Sequence, residues 1–103
     1  IHYLITIPDF TDADAPARRL AARPAHLKHA ANLQSQGLLL AGGAQLTDDG
    51  DKMFGSMFLL DMPSKQAVLD LMRSDPYVTG KVWDLDRMWV QKVKLARLGT
   101  LKE

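Results

Sequence analysis

The sequence predicts a single α+β domain with the element order β-α-β-β-α-β, the ferredoxin-like arrangement of a four-stranded antiparallel sheet with two helices on one face. Runs rich in β-branched and aromatic residues alternate in that order with runs rich in Ala, Leu, Arg and Lys. No repeat or linker divides the 103 residues, which is the length of one domain. A chain that is 47% hydrophobic and 24% charged has the composition of a folded globule rather than a disordered segment.

Ile1 to Pro8, IHYLITIP, reads as a strand that ends at its proline. Asp9 to Pro16 is a polar connection with several candidate N-caps. Ala17 to Gln36 holds good helix formers, and Gly37 is a stop signal. Pro24 falls inside that run, so a kink is expected there, or a short helix followed by a second one starting near Pro24. Leu38 to Ala41 reads as a buried strand running into Gly42-Gly43, Thr47 to Lys52 as a polar hairpin connection, and Met53 to Met62 as the next strand. Ser64 caps a second helix whose apolar stripe is Ala67, Val68, Leu71 and Met72. Ser74 to Tyr77 ends it, and a last strand is expected roughly from Val82 to Val93. The domain is read as residues 1–95, followed by a basic tail, 96–103.

Tyr3, Phe58, Trp83, Trp89 and Val90 place large apolar groups on both sides of the sheet. Helices on one face leave the other bare, so a second copy is expected against it: a homodimer whose two sheets close a barrel. The formal net charge of +1 argues against nucleic acid as the main partner. Apolar runs such as Leu38 to Ala41 fall far short of the ~20 residues that cross a bilayer, so no membrane partner is expected. No basic-then-apolar leader precedes the first strand, which makes a cytoplasmic address the expectation. The absence of cysteine removes disulfides, thiolate catalysis and cysteine-based metal sites. Of the three histidines, His2, His26 and His29, no pair has a partner set suited to a metal.

His26 is the first candidate for chemistry. If Pro24 opens a helix, His26 sits in its first turn, where the positive end of the helix dipole disfavours imidazolium and leaves a ring able to accept a proton. The competing reading is a partly buried ring hydrogen-bonded to backbone. Asp75 before Pro76 fits an N-cap. It also fits a carboxylate that orients His26 and fixes its tautomer. Arg18, Arg19 and Arg23 form a basic cluster from which one member facing a cleft would hold an anionic or phenolate substrate. Gly42-Gly43 suits either a turn or close approach of a ligand to backbone. Ser56 has neither an adjacent base nor a nucleophile-elbow context, so it is set aside as a nucleophile. Met53, Met57, Met62, Met72 and Met88 read as core or dimer-face filler.

RRLAARPAHL (Arg18 to Leu27), LLLAGG (Leu38 to Gly43), FGS (Phe54 to Ser56) and DPY (Asp75 to Tyr77) together resemble the YCII-related family over about residues 1–95. Gly43 departs from a proline frequent in that family. The resemblance implies the fold of the dimeric α+β barrels and a His–Asp active centre at His26 and Asp75. It also implies dehydrochlorination of a chlorinated hydroxyhydroquinone to a hydroxyquinone, with neither metal nor organic cofactor. On that basis Arg19 or Arg23 would steady the phenolate of a small aromatic substrate, and Tyr77 would stack on its ring. Two other functions fit the same residues: an isomerase of a ring-cleavage intermediate, and a non-catalytic small-ligand-binding dimer module.

Overall fold

The structure is a computed structural model that describes residues 1–96; the remainder of the expected tail, 97–103, lies outside the described residues. Strands β1 (His2–Pro8), β2 (Leu39–Leu46), β3 (Met53–Asp61) and β4 (Trp89–Val93) form one sheet in the order β2-β3-β1-β4. All neighbouring pairs are antiparallel. Helices α1 (Ala15–Ser35), α2 (Lys65–Arg73) and α3 (Pro76–Thr79) complete the ferredoxin-like α+β fold. The central strand β1 alternates strictly: Tyr3, Ile5 and Ile7 are buried, and their neighbours are only partly covered. Tyr3, Ile5 and Ile7 meet Phe58 and Leu60 of β3, Val68 and Met72 of α2, Tyr77 of α3, and Val82 and Trp83 in one apolar core.

Several local signals act as expected. Gly37 takes φ +78° just past α1, and Leu38 N–H returns to Leu33 O at 3.0 Å, which closes the helix. Ser64 caps α2 by accepting the Ala67 N–H.

Three expectations need correction. Pro24 neither splits α1 nor starts a second helix; the helix runs unbroken for 21 residues, and Pro16 occupies the proline-tolerant first turn. His26 therefore lies in the middle of α1, where no helix-end charge acts on it. Asp75 does more than end α2, because it opens the separate helix α3. The last strand is also shorter than expected. Of Val82 to Met88, only Trp83 pairs with the sheet, through an isolated bridge to Asp9, and Leu85–Arg87 coil into a 3-10 turn capped by Asp84.

Candidate functional site

Helix α1 buries Ala15, Arg19, His26 and Leu33, a stripe spaced by 4, 7 and 7 residues that faces the sheet. Two of those residues are among the most polar in the helix, while Leu20 and Leu27, one position along from each, are exposed. Burying an arginine and a histidine requires partners waiting on the other side. Asp9 at the end of β1, Ser56 of β3 and Asp75 ahead of α3 supply them.

His26 Nδ1 lies 2.8 Å from Asp75 Oδ1, and both residues are buried, at 8% and 4% exposure. A carboxylate only accepts, so the hydrogen of this bond sits on Nδ1 and a neutral ring keeps its lone pair on Nε2. The same Oδ1 accepts the Tyr77 N–H at 2.9 Å, so one atom both caps α3 and aims the imidazole. The Tyr77 ring stacks on His26 with centroids 3.9 Å apart and planes 11° apart, while Phe58 and Trp83 meet the imidazole edge-on. His26 Nε2 makes no hydrogen bond to the described residues and is not sealed from solvent.

The three arginines of the basic cluster separate into three roles. Arg18 is tied to Asp12 and to Lys81 O. Arg19 is buried; its Nη1 donates to both oxygens of Asp9, at 2.7 and 2.8 Å, and its Nη2 to Gly55 O and Ser56 Oγ, each at 3.3 Å. Burial pushes the Asp9 carboxyl above its usual range, with the Arg19 hydrogen bond and charge pulling the other way. Arg23 is exposed and makes no ion pair among the described residues.

A hollow of about 140 Å³ opens beside His26, bounded by Arg19, Arg23, Gly43, Ser56 and Tyr77 among others. A Cβ built on Gly43 would meet nothing within 4 Å, so this wall leaves space at the backbone. Burial raises the Tyr77 phenol above its ordinary value, which keeps its proton in place. Among the described residues no group of His, Asp or Glu is disposed to hold a metal ion. Of the expected site residues, His26, Asp75 and Tyr77 are brought into direct contact, with Arg19 beside the Tyr77 ring at 5.0 Å and Arg23 on the wall of the hollow.

Sequence reasoning did not find Asp9 or Trp83. Asp9 carried a usable signal, being the acid directly after a strand and ten residues before an arginine on the inward stripe of α1.

A sequence model of the YCII-related domain matches residues 1–87. The chain belongs to the YCII-related family. No curated protein sequence matches it significantly. Among solved structures, this YCII-related chain is similar to a 5-chloro-2-hydroxyhydroquinone dehydrochlorinase (TftG) from Burkholderia phenoliruptrix AC1100, in complex with 2,5-dihydroxybenzoquinone. The TM-score is 0.75 at 21% identity, over 91% of this chain and 94% of that one. It is also similar to At3g17210 from Arabidopsis thaliana, with a TM-score of 0.47 at 13% identity over 94% and 97% of the two chains. The first likeness establishes a common fold for the two chains.

Proposed function

We propose that the protein is a cofactor-independent lyase in which His26, oriented by Asp75, moves protons on a small phenolic ring, best matched by dehydrochlorination of a chlorinated hydroxyhydroquinone. The observation that carries this reading is the 2.8 Å His26–Asp75 bond through Nδ1, with His26 itself lining a hollow suited to one ring. An engineered cavity of about 150 Å³ takes up benzene, so about 140 Å³ is of the right order. The dehydrochlorinase that shares the fold supplies the choice of substrate.

The chemistry asks for little more than a proton shuttle. His26 Nε2 takes the proton of the hydroxyl beside the C–Cl carbon and returns it to that carbon, which forms a ketone and a tetrahedral C–H(Cl) centre. Loss of the proton from the hydroxyl para to that ketone then pushes electrons through the ring and expels chloride, leaving a hydroxyquinone and HCl. The ring is oxidised and the C–Cl bond reduced by the same electron pair, so the balance closes without an external oxidant. Asp75 stabilises the imidazolium formed at each transfer. Arg23, free of any acid partner among the described residues, attracts the phenolate, and Arg19 holds the wall in place through Asp9. The bare sheet face is proposed to carry a second copy of the chain, giving a homodimer.

Chloride release from 5-chloro-2-hydroxyhydroquinone is the test. The wild type should release chloride and bind 2,5-dihydroxybenzoquinone. His26→Ala should lose about 10²- to 10⁴-fold in turnover, with folding retained and quinone affinity changed far less. Unchanged turnover in that variant would remove the dyad mechanism.

A further inference from the structure

Ser56 lies on the wall of the hollow, is 1% exposed, and sits between two side chains that can only donate. Trp83 Nε1–H donates to its Oγ at 3.1 Å and Arg19 Nη2 donates to it at 3.3 Å. A hydroxyl oxygen has two acceptor positions and one hydrogen to give. Both acceptor positions are filled, by an indole that has no other hydrogen-bonding role and by a guanidinium that never loses its charge. No acceptor for the Ser56 hydrogen exists among the described residues.

We infer that Ser56 is a fixed hydrogen-bond donor of the binding site, which selects ligands that present an acceptor oxygen, phenolate or carbonyl, on the side of the ring away from the His26 base. The inference rests on the proposed function for the identity of the ring and deepens it by naming what that ring must carry. Asp9 is part of the device. By holding Arg19 Nη1 with both oxygens, it directs Nη2 toward Gly55 O and Ser56 Oγ. The hydroxyl therefore cannot turn round to accept from a ligand, and a ring bearing a donor at that position meets hydrogen against hydrogen. A ring bearing an oxyanion there meets a donor polarised by a neighbouring cation, in a setting that needs no reorganisation. In the proposed reaction this is the oxygen para to the new ketone, which gains negative charge as its proton is lost and becomes a quinone carbonyl as chloride is expelled. Ser56 thus acts as substrate binder and specificity determinant rather than nucleophile.

The experiment is a titration of wild type, Ser56→Ala and Ser56→Thr with 2,5-dihydroxybenzoquinone, followed through the visible band of the quinone, alongside chloride release. Ser56→Ala should weaken quinone binding by about 10- to 100-fold. At saturation its bound-quinone band should be displaced from that of wild type, because the hydrogen bond to a quinoid oxygen is gone. Ser56→Thr, which keeps the hydroxyl, should restore both the affinity and the band. Ser56→Ala also strands the Trp83 and Arg19 donors, so its stability falls, yet a purely structural role would not move the band of a saturated ligand. An unmoved band in Ser56→Ala, or donor-substituted rings that bind as well as oxygen-bearing ones, overturns the inference. If quinone binds and His26→Ala abolishes turnover while Ser56→Ala alters nothing, the inference fails and the dyad stands. If wild type neither binds quinone nor releases chloride, both fail.

Discussion

Asp75 Oδ1 accepts two hydrogen bonds that answer to different demands: the Tyr77 N–H needs any oxygen, whereas the His26 ring needs a carboxylate. Asp75→Asn separates them. The amide oxygen can still cap α3, so unfolding free energy should change by about 1 kcal/mol or less, while turnover falls by a hundredfold or more because the imidazolium loses its counter-charge. Denaturant melts together with chloride assays check both halves, and equal activity would leave Asp75 a cap alone. Asp9 is the opposite case, with a structural cost that dominates. Asp9→Ala leaves the Arg19 guanidinium buried without its acid partner, so a loss of about 3–5 kcal/mol is expected in a denaturant melt.

At the scale of elements, α1 turns Arg19 and His26 inward and Leu20 and Leu27 outward, and a proline sits in its interior. Pro24 has no N–H, so the Leu20 carbonyl one turn earlier lacks its helical partner. Pro24→Ala should restore that bond and raise stability by about 1–3 kcal/mol, seen as a higher thermal midpoint. The β1–α1 connection is held by Arg18, whose hydrogen bond to Asp12, aided by its charge, holds the Asp12 carboxyl down to about 2. A carboxyl lowered by folding adds stability above its ordinary value of 3.8 and loses it as pH falls through about 2. Asp12→Asn should therefore be the less stable protein at neutral pH, with the deficit vanishing toward pH 2; denaturant melts along that series measure it.

At the scale of the whole molecule, the sheet has one face covered by helices and one face bare. The strand registers put Leu4 beside Leu59, Thr6 between Met57 and Trp89, and Ala41 beside Leu59, all on the bare side. Trp89 remains 48% exposed there. Large apolar side chains in one continuous patch favour a second sheet against them. The wild type should sediment as a dimer at micromolar concentration, and Leu59→Arg should sediment as a monomer with its fold intact. A wild-type monomer would remove the homodimer proposal.

Much of this architecture depends on signals that act within a few residues: β-branched runs, a glycine able to take positive φ at the end of α1, and a serine that can cap α2. Those signals set the element order, and the RPAH and DPY stretches marked His26 and Asp75 as residues to watch. Continuity of α1 through Pro24, and the polar character of its buried stripe, depended on what α1 packs against. Hydrophobic periodicity predicts burial only where the partner surface is apolar, and here that surface carries Asp9, Ser56 and Asp75. Likewise no local pattern brings together side chains 49 residues apart in the chain at 2.8 Å. That distance exists only once α3 has docked beside the middle of α1.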